Sequence, residues 1–128
     1  MIGYQDNIEK ATLENEDFRR VLFTGDHSQL VLMAIGLGEE IGQEVHDDVD
    51  QFFRFEAGEG KVIIEGEEIV VGDGDAVIVP AGTEHNIINT SASEKLKLYT
   101  IYSPANHPDG TVHKNKAEAD KYEEEHHH

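Results

Sequence analysis

The apolar residues of this chain fall into short runs separated by glycine, proline and acidic turns. The run at 29–37, QLVLMAIGL, is almost continuously apolar, which is typical of a strand buried on both faces. The run at 76–80, AVIVP, is also predicted to be buried, and it stops at a proline, which has no donor for the strand ladder. Turn residues recur about every 8–12 positions, so we predict about eight to ten short strands, no internal helix, and a β-sandwich or closed β-barrel.

Two further strands are predicted to alternate between an inner and an outer face. In the strand at 95–102, Lys95 and Lys97 point outward, so the inward side chains should be Leu96, Leu98, Thr100 and Tyr102. In the strand at 50–58, one face carries Gln51, Phe53 and Phe55. Phe52 lies on the other face, where it is either an exposed aromatic or a subunit contact.

The two ends of the chain differ in composition from the strand-rich middle. Residues 1–16 are mostly polar and should form an arm, 17–103 should form the barrel, and 104–128 should form an irregular, acidic tail. Residues 114–125 have helix-forming composition but no apolar stripe, so any helix there should be marginal. The terminal histidines at 126–128 are either a natural acidic-histidine tail or the remnant of a purification tag.

Length, charge and cysteine content exclude several classes of protein. A chain of 128 residues has room for one domain, and the absence of cysteine excludes a disulfide framework, a thiolate zinc site and a cysteine nucleophile. A formal net charge of −17 makes nucleic acid a poor partner and argues against a phosphorylated substrate. No apolar run is long enough to span a bilayer and no signal-peptide pattern is present, so we expect no membrane association and a cytoplasmic location.

The stretch 38–60 carries the residues that point most directly to chemistry. Glu44 and His46 are two positions apart, so in a strand they share one face. A carboxylate and an imidazole on one face form half of a metal site, and His85 could complete it from a distant segment. Taken singly, each has a structural interpretation, since a β-face histidine is more often a packing residue and His85 follows a turn where it could cap backbone groups.

Three other histidines lie outside this pattern. His27 falls in a turn and should be solvated. His107 and His113 flank a Pro-Asp-Gly turn, where a surface loop is the simpler interpretation. A lid over the mouth of the barrel is the alternative.

Two spaced motifs resemble those of the cupin superfamily. The second cupin motif is Gly, five residues, Pro, one residue, Gly, two residues, His, three residues, Asn, and every interval is kept by Gly74, Pro80, Gly82, His85 and Asn89. The first motif is His-x-His, three or four residues, Glu, six residues, Gly. Its spacing is kept by Glu44, His46, Gln51 and Gly58, although two of its three ligand identities are changed.

The resemblance covers roughly Gly38 to Tyr102 and implies a double-stranded β-helix, which is a jelly-roll type of barrel. It also implies one divalent metal, with two positions open to water or substrate, bound by Glu44, His46, Gln51 and His85. Two nitrogen and two oxygen ligands suit Mn, Fe, Co, Ni or Zn. Apolar walls for a small-molecule pocket would come from Phe53, Phe55 and Leu98, while Thr100 and Tyr102 either reach that pocket or fill the core.

The function implied by the resemblance is that of a small metalloenzyme acting on a small organic substrate. Oxygen-dependent cleavage of a carbonyl compound, isomerisation and decarboxylation are all compatible with such a site. The alternatives are a non-catalytic small-molecule sensor or binding module, and a degenerate cupin whose pocket holds a ligand without metal. The resemblance also implies a homodimer formed through the outer sheet and the N-terminal arm, with Phe18 and Phe52 as local support.

Overall fold

The computed structural model describes residues 2–125 of the chain, so the terminal histidines at 126–128 lie outside the described residues. Within that range the chain forms nine strands and a helix near each end. In chain order they are α1 Ile8–Glu14, β1 Arg19–Thr24, β2 Gln29–Ile35, β3 Asp50–Ala57, β4 Glu59–Ile64, β5 Glu67–Gly72, β6 Ala76–Val79, β7 His85–Asn89, β8 Leu96–Ser103, β9 Val112–His113 and α2 Lys116–Glu125.

The strands form two antiparallel sheets that share one core. The larger sheet has the order β6-β3-β8-β2-β1-β9, and the smaller sheet has the order β5-β4-β7. Strands distant in sequence therefore lie side by side, with β3 next to β8 and β4 next to β7. The chain crosses from one sheet to the other four times, between β3 and β4, β5 and β6, β6 and β7, and β7 and β8, as in a jelly roll.

The core is built from the inward faces of both sheets, as the hydrophobic pattern predicts. Strand β2 is buried along almost its whole length, and the alternation predicted for β8 is confirmed at all four inward positions, Leu96, Leu98, Thr100 and Tyr102. Phe53 and Phe55 are fully buried and their rings stack at a centroid distance of 6.4 Å. Phe18 also belongs to this core. It therefore does not give the local support for a subunit contact that the sequence analysis expected of it.

The strand at β6 corrects one expectation from the sequence. The run 76–80 reads as a buried strand, but β6 lies at the edge of the larger sheet and Ile78 is 64% exposed. Of its four residues only Val79 is fully buried. A hydrophobic run cannot distinguish an edge strand from a central one, because that difference depends on which strands pair with it. The predicted end of the strand at Pro80 is confirmed.

Two glycine positions explain how the strands around β4 connect. Glu65 and Gly66 both have positive φ, at 48° and 82°, which is the geometry of a two-residue hairpin turn between β4 and β5. Gly58, at the end of the first motif, has φ 94°, and a Cβ there would lie 2.7 Å from the Lys95 carbonyl oxygen. A side chain at Gly58 would therefore collide with backbone where the chain passes between the sheets.

The N-terminal segment is more ordered than the predicted polar arm. Asn7 caps helix α1, since its side chain accepts a hydrogen bond from the Lys10 N–H at 3.0 Å. Lys97 of β8 holds the helix against the sheet by donating to the Leu13 carbonyl oxygen at 2.6 Å and to Glu16 at 3.1 Å. Short polar helices of this kind form through such tertiary contacts, which the local sequence does not reveal.

The C-terminal segment also packs on the barrel, although a solvated tail was expected. Strand β9 pairs with β1 at the edge of the larger sheet, and the Tyr122 ring of helix α2 lies 5.3 Å from the His113 ring. Ala119, on the inner side of α2, is buried in the core. One buried alanine is too little to register as an apolar stripe, which is why the sequence predicts only a marginal helix. Among residues 2–125, no helix has the length and hydrophobicity needed to cross a bilayer.

Candidate metal centre

Backbone pairing brings the two sequence motifs together. The Glu44 N–H donates to the His85 carbonyl oxygen at 2.8 Å, and the His85 N–H donates to the Glu44 carbonyl oxygen at 2.9 Å. This reciprocal pair is an isolated antiparallel bridge that places Glu44 directly opposite the first residue of β7. The two residues are far apart in sequence, yet their side chains start from adjacent backbone positions on one side of the barrel.

The turn before β7 places the third residue of the cluster. Gly82, in the second motif, has φ 78°, and its N–H donates to the His46 carbonyl oxygen at 2.8 Å. His46 is thereby held beside His85, with the two ring centroids 5.5 Å apart. One ligand atom from each of Glu44, His46 and His85 lies within 4.8 Å of the other two. Three such atoms at this spacing can reach one divalent ion.

Hydrogen bonding and burial leave both imidazoles suited to ligation. The Nδ1 atom of His85 lies 3.0 Å from the Thr83 carbonyl oxygen, so it carries the proton and leaves Nε2 as an acceptor. Burial lowers the pKa of His46, although the Glu44 carboxylate opposes the shift. The Nε2 atom of His46 lies 3.5 Å from a Glu44 carboxylate oxygen. Two imidazoles beside a carboxylate form a donor set that borderline transition metals accept.

Gln51 tests whether a metal fits this cluster. It is almost fully buried on the inward face of β3, and its Nε2 donates to the Thr100 hydroxyl at 3.0 Å. Its carbonyl oxygen, Oε1, is buried and has no hydrogen-bond partner within the described structure. An orphaned buried acceptor is costly, and ligation of a cation would satisfy it. The residues present therefore fit a divalent metal, and the role of Gln51 as its fourth ligand stays a prediction.

The residues predicted to line a pocket all lie in the barrel interior. Phe53, Phe55, Leu98 and Thr100 have no exposed surface, and Tyr102 is 3% exposed. The Phe53 ring lies 6.3 Å from the His85 ring, and the Tyr102 ring lies 6.1 Å from the His46 ring. None of the five lines the cavity that opens beside Glu44. Contact between these five side chains and a ligand stays a prediction.

Three polar residues near the cluster were not assigned to the site from the sequence. Arg19 is buried, and its Nη1 donates to His113 Nδ1 at 3.1 Å. His107 Nε2 and the Tyr102 hydroxyl are joined by a hydrogen bond of 3.2 Å, so the loop at 104–111 folds back over the barrel. The surface-loop interpretation is therefore wrong for His113, which is buried in β9, whereas His107 lies half-buried in the loop at 104–111. Arg19 could have been found, because strand alternation puts it on the same face as the buried Val21.

His107 gives the folded protein a testable dependence on pH. Burial lowers its pKa to about 3, with a smaller contribution from the Arg19 charge. Because an unfolded histidine has a pKa of about 6.5, the unfolded chain binds a proton between these values that the folded chain does not. We therefore expect the free energy of unfolding to decrease as pH falls below about 6.5, with His107 contributing up to about 1.4 kcal/mol per pH unit.

Urea unfolding at pH 7 and pH 5 measures this effect. His107→Gln removes the titrating ring, so the loss of stability between the two pH values should be smaller in that variant than in the parent. The parent also carries buried His46 and His113, whose pKa values are lowered in the same direction, so the difference between the two proteins isolates His107. An identical pH dependence in both proteins would contradict the prediction.

The sequence matches the Cupin domain family over residues 31–102, which is more than half of the chain and includes the whole cluster. The chain is a member of the cupin family. The predicted all-β class, a double-stranded β-helix, is confirmed by this match and by the structural comparison that follows.

This cupin is similar to several known proteins. It is 50% identical over 119 residues to the uncharacterized protein YrkC of Bacillus subtilis (strain 168), covering 88% of this chain and 63% of YrkC. The crystal structure of BH2720 from Bacillus halodurans superposes with a TM-score of 0.89 at 47% identity, covering 92% of this chain and 93% of that one. A more distant similarity, 31% identity over 78 residues, is to quercetin 2,3-dioxygenase of Bacillus subtilis (strain 168), covering 61% of this cupin and 23% of that enzyme.

Proposed function

We propose that this cupin is a metal-dependent enzyme that acts on a small organic molecule. The observation that carries the proposal is the cluster of Glu44, His46 and His85, whose ligand atoms lie within 4.8 Å of one another. The partnerless Oε1 of Gln51 supports it, because a fourth donor oxygen on the inward face of β3 suits a four-ligand site. The likeness to a dioxygenase over part of the chain makes an oxidoreductase one candidate class.

The residues of the cluster would hold one divalent transition metal, Mn, Fe, Co, Ni or Zn. When bound with open positions, such an ion polarises a carbonyl oxygen or lowers the pKa of bound water. The protein itself supplies two oriented imidazoles, a carboxylate that is one-third exposed, and a dry aromatic wall at Phe53. Burial raises the pKa of Tyr102, so its hydroxyl stays protonated beside the cluster, where it is hydrogen-bonded to His107.

The reaction classes that suit this arrangement are oxygen-dependent cleavage of a carbonyl compound and isomerisation or decarboxylation of a keto compound. All three require a carbonyl oxygen to be polarised while a nearby group accepts or donates a proton. Oxidoreductase, isomerase and, for decarboxylation, lyase are therefore the candidate enzyme classes. A cytoplasmic location and a homodimer through the outer sheet also remain predictions, and sedimentation tests the second.

Turnover assays on a chemical panel test the enzyme proposal. Metal-loaded protein is incubated with β-diketones, keto acids and free sugars while oxygen consumption and proton exchange into deuterated water are recorded. We expect turnover of at least one compound, and we expect a chelator to abolish it. His85→Ala, which removes one ligand of the cluster, should also be inactive on that compound.

The panel separates this proposal from the alternative of a non-catalytic binding module. A binding module would show ligand-induced increases in melting temperature with no turnover of the same compounds. That pattern across the whole panel, with metal bound at full occupancy, would overturn the enzyme proposal.

A further inference from the structure

Arg19 is a buried cation close to the candidate metal centre. It is 5% exposed, its guanidinium lies 5.3 Å from the Phe18 ring centroid, and Nη1 donates to His113. Its Nε has no hydrogen-bond partner, and residues 2–125 provide no carboxylate in an ion pair with it. A guanidinium has five donors in a fork that matches a carboxylate, so this side chain retains unused capacity.

Leaving such a charge buried and unpaired is unfavourable. Proteins ordinarily pair a buried guanidinium with a carboxylate or expose it to water, because desolvation of an isolated charge is expensive. The two histidines beside Arg19 supply no negative charge, since burial and the guanidinium itself lower the pKa of both His107 and His113, and the carboxylates on the nearby cavity wall form no ion pair with it among residues 2–125. An anion from solution would therefore supply the charge that the fold does not.

A cavity of about 200 Å³ reaches from Arg19 to Glu44, one residue of the metal cluster. Glu44 lines the same cavity as Arg19, and helix α2 closes its other side with Ala119, Asp120 and Glu123. The volume corresponds to roughly six or seven water molecules, which is enough for a small organic acid. A molecule in this cavity can contact the guanidinium and the edge of the metal site together.

The charges of the cavity wall limit the kind of anion. Asp120 pairs with Lys116 at 3.0 Å, while Glu123 is exposed and Glu44 faces the metal cluster. A single guanidinium beside these carboxylates suits one negative charge better than the two of a phosphate monoester. The formal net charge of −17 also disfavours a dianion relative to a monoanion.

We propose that Arg19 binds the carboxylate of a small monocarboxylate substrate, which places the carbonyl carbon of that substrate beside Glu44, His46 and His85. This inference rests on the proposed function and names its substrate class. Arg19 is then a positioning residue that determines specificity, and helix α2 forms the outer wall of the substrate site. Among the keto compounds, keto acids should be preferred over β-diketones and free sugars.

Binding of pyruvate and its neutral counterpart pyruvamide to chelator-treated protein tests the inference without relying on metal. Isothermal titration should show pyruvate binding at least about tenfold more tightly than pyruvamide, as expected of a charge-assisted carboxylate pair. Arg19→Gln should lose this preference. Arg20→Gln is the matched control, since Arg20 is the exposed neighbour that pairs with Asp17, and it should keep the preference.

A second measurement follows Arg19 directly in the unaltered protein. In the ¹⁵N spectrum of the parent protein, the Nε–H resonance of Arg19, identified by its loss in Arg19→Lys, should shift with pyruvate and not with pyruvamide. Equal binding of the two probes, or an unshifted resonance at saturating pyruvate, would overturn the inference even if the metal cluster is real. If pyruvate binds as expected to protein that takes up no metal, the anion site stands and the metal proposal fails.

Discussion

Replacement of His46 or His85 by alanine is expected to remove bound metal from the protein. We expect about one transition metal per chain in protein purified without chelator, and close to none in either variant, because each change deletes one of three clustered ligand atoms. Loss of groups that only support ligands already costs about 10–100-fold in affinity, so loss of a ligand should cost more. Elemental analysis of the purified proteins measures the stoichiometry.

The matched control is His27→Ala, which removes a histidine from an exposed turn outside the cluster and should leave the metal content unchanged. Metal should also stabilise the parent, by about 2.7 kcal/mol at a free concentration one hundred times the dissociation constant, and this gain should be absent in both cluster variants. Metal content that is the same in the parent, His46→Ala and His85→Ala would exclude the proposed site.

Replacement of Phe53 by alanine is expected to cost about 3–5 kcal/mol in the free energy of unfolding. The ring has no exposed surface, stacks on Phe55 and lies 6.3 Å from the His85 ring, so its removal leaves a cavity in the core. Because β3 is paired on both sides, by β6 and β8, the surrounding backbone has little freedom to collapse into the space. Urea unfolding of chelated protein measures the loss without a contribution from metal.

Phe52→Ala is the matched control for this prediction, since it removes the same ring from the next residue of the same strand. Phe52 faces outward, is partly exposed and contacts Tyr99 at a ring distance of 6.2 Å. Its loss should cost about 1 kcal/mol, the usual cost of a substitution that leaves no internal cavity. Comparable losses in the two variants would mean that the alternation of β3 does not divide core from surface as described.

Much of the fold follows from local pattern. The continuous apolar run of β2, the alternation of β8 and the end of β6 before Pro80 are each properties of a few adjacent residues, and each is confirmed. Spacing also located the cluster, because a strand places alternate side chains on one face and the turn at Gly82 has a specific backbone requirement. Metal binding and catalysis remain predictions.

The errors share a physical cause. The exposure of β6 and the packing of α2 on the barrel both depend on which segments become neighbours after the chain folds. The polar composition of α2 predicts exposure and the hydrophobic composition of β6 predicts burial. Burial, however, depends on which two surfaces contact each other. The hydrogen bond between His107 and Tyr102 is another contact of this type, because the loop that carries His107 has no regular hydrophobic pattern that would predict it.

By itself the sequence determined the period of the strands, the turns that end them and the side chains that face inward, because steric and hydrophobic preferences act over a few residues. Only the tertiary structure decided that Glu44 would pair with His85, that Arg19 and Glu44 would line one cavity, and that the C-terminal helix would close that cavity. Those outcomes come from long-range strand pairing, whose partners are chosen by the total burial of the whole chain rather than by any one segment.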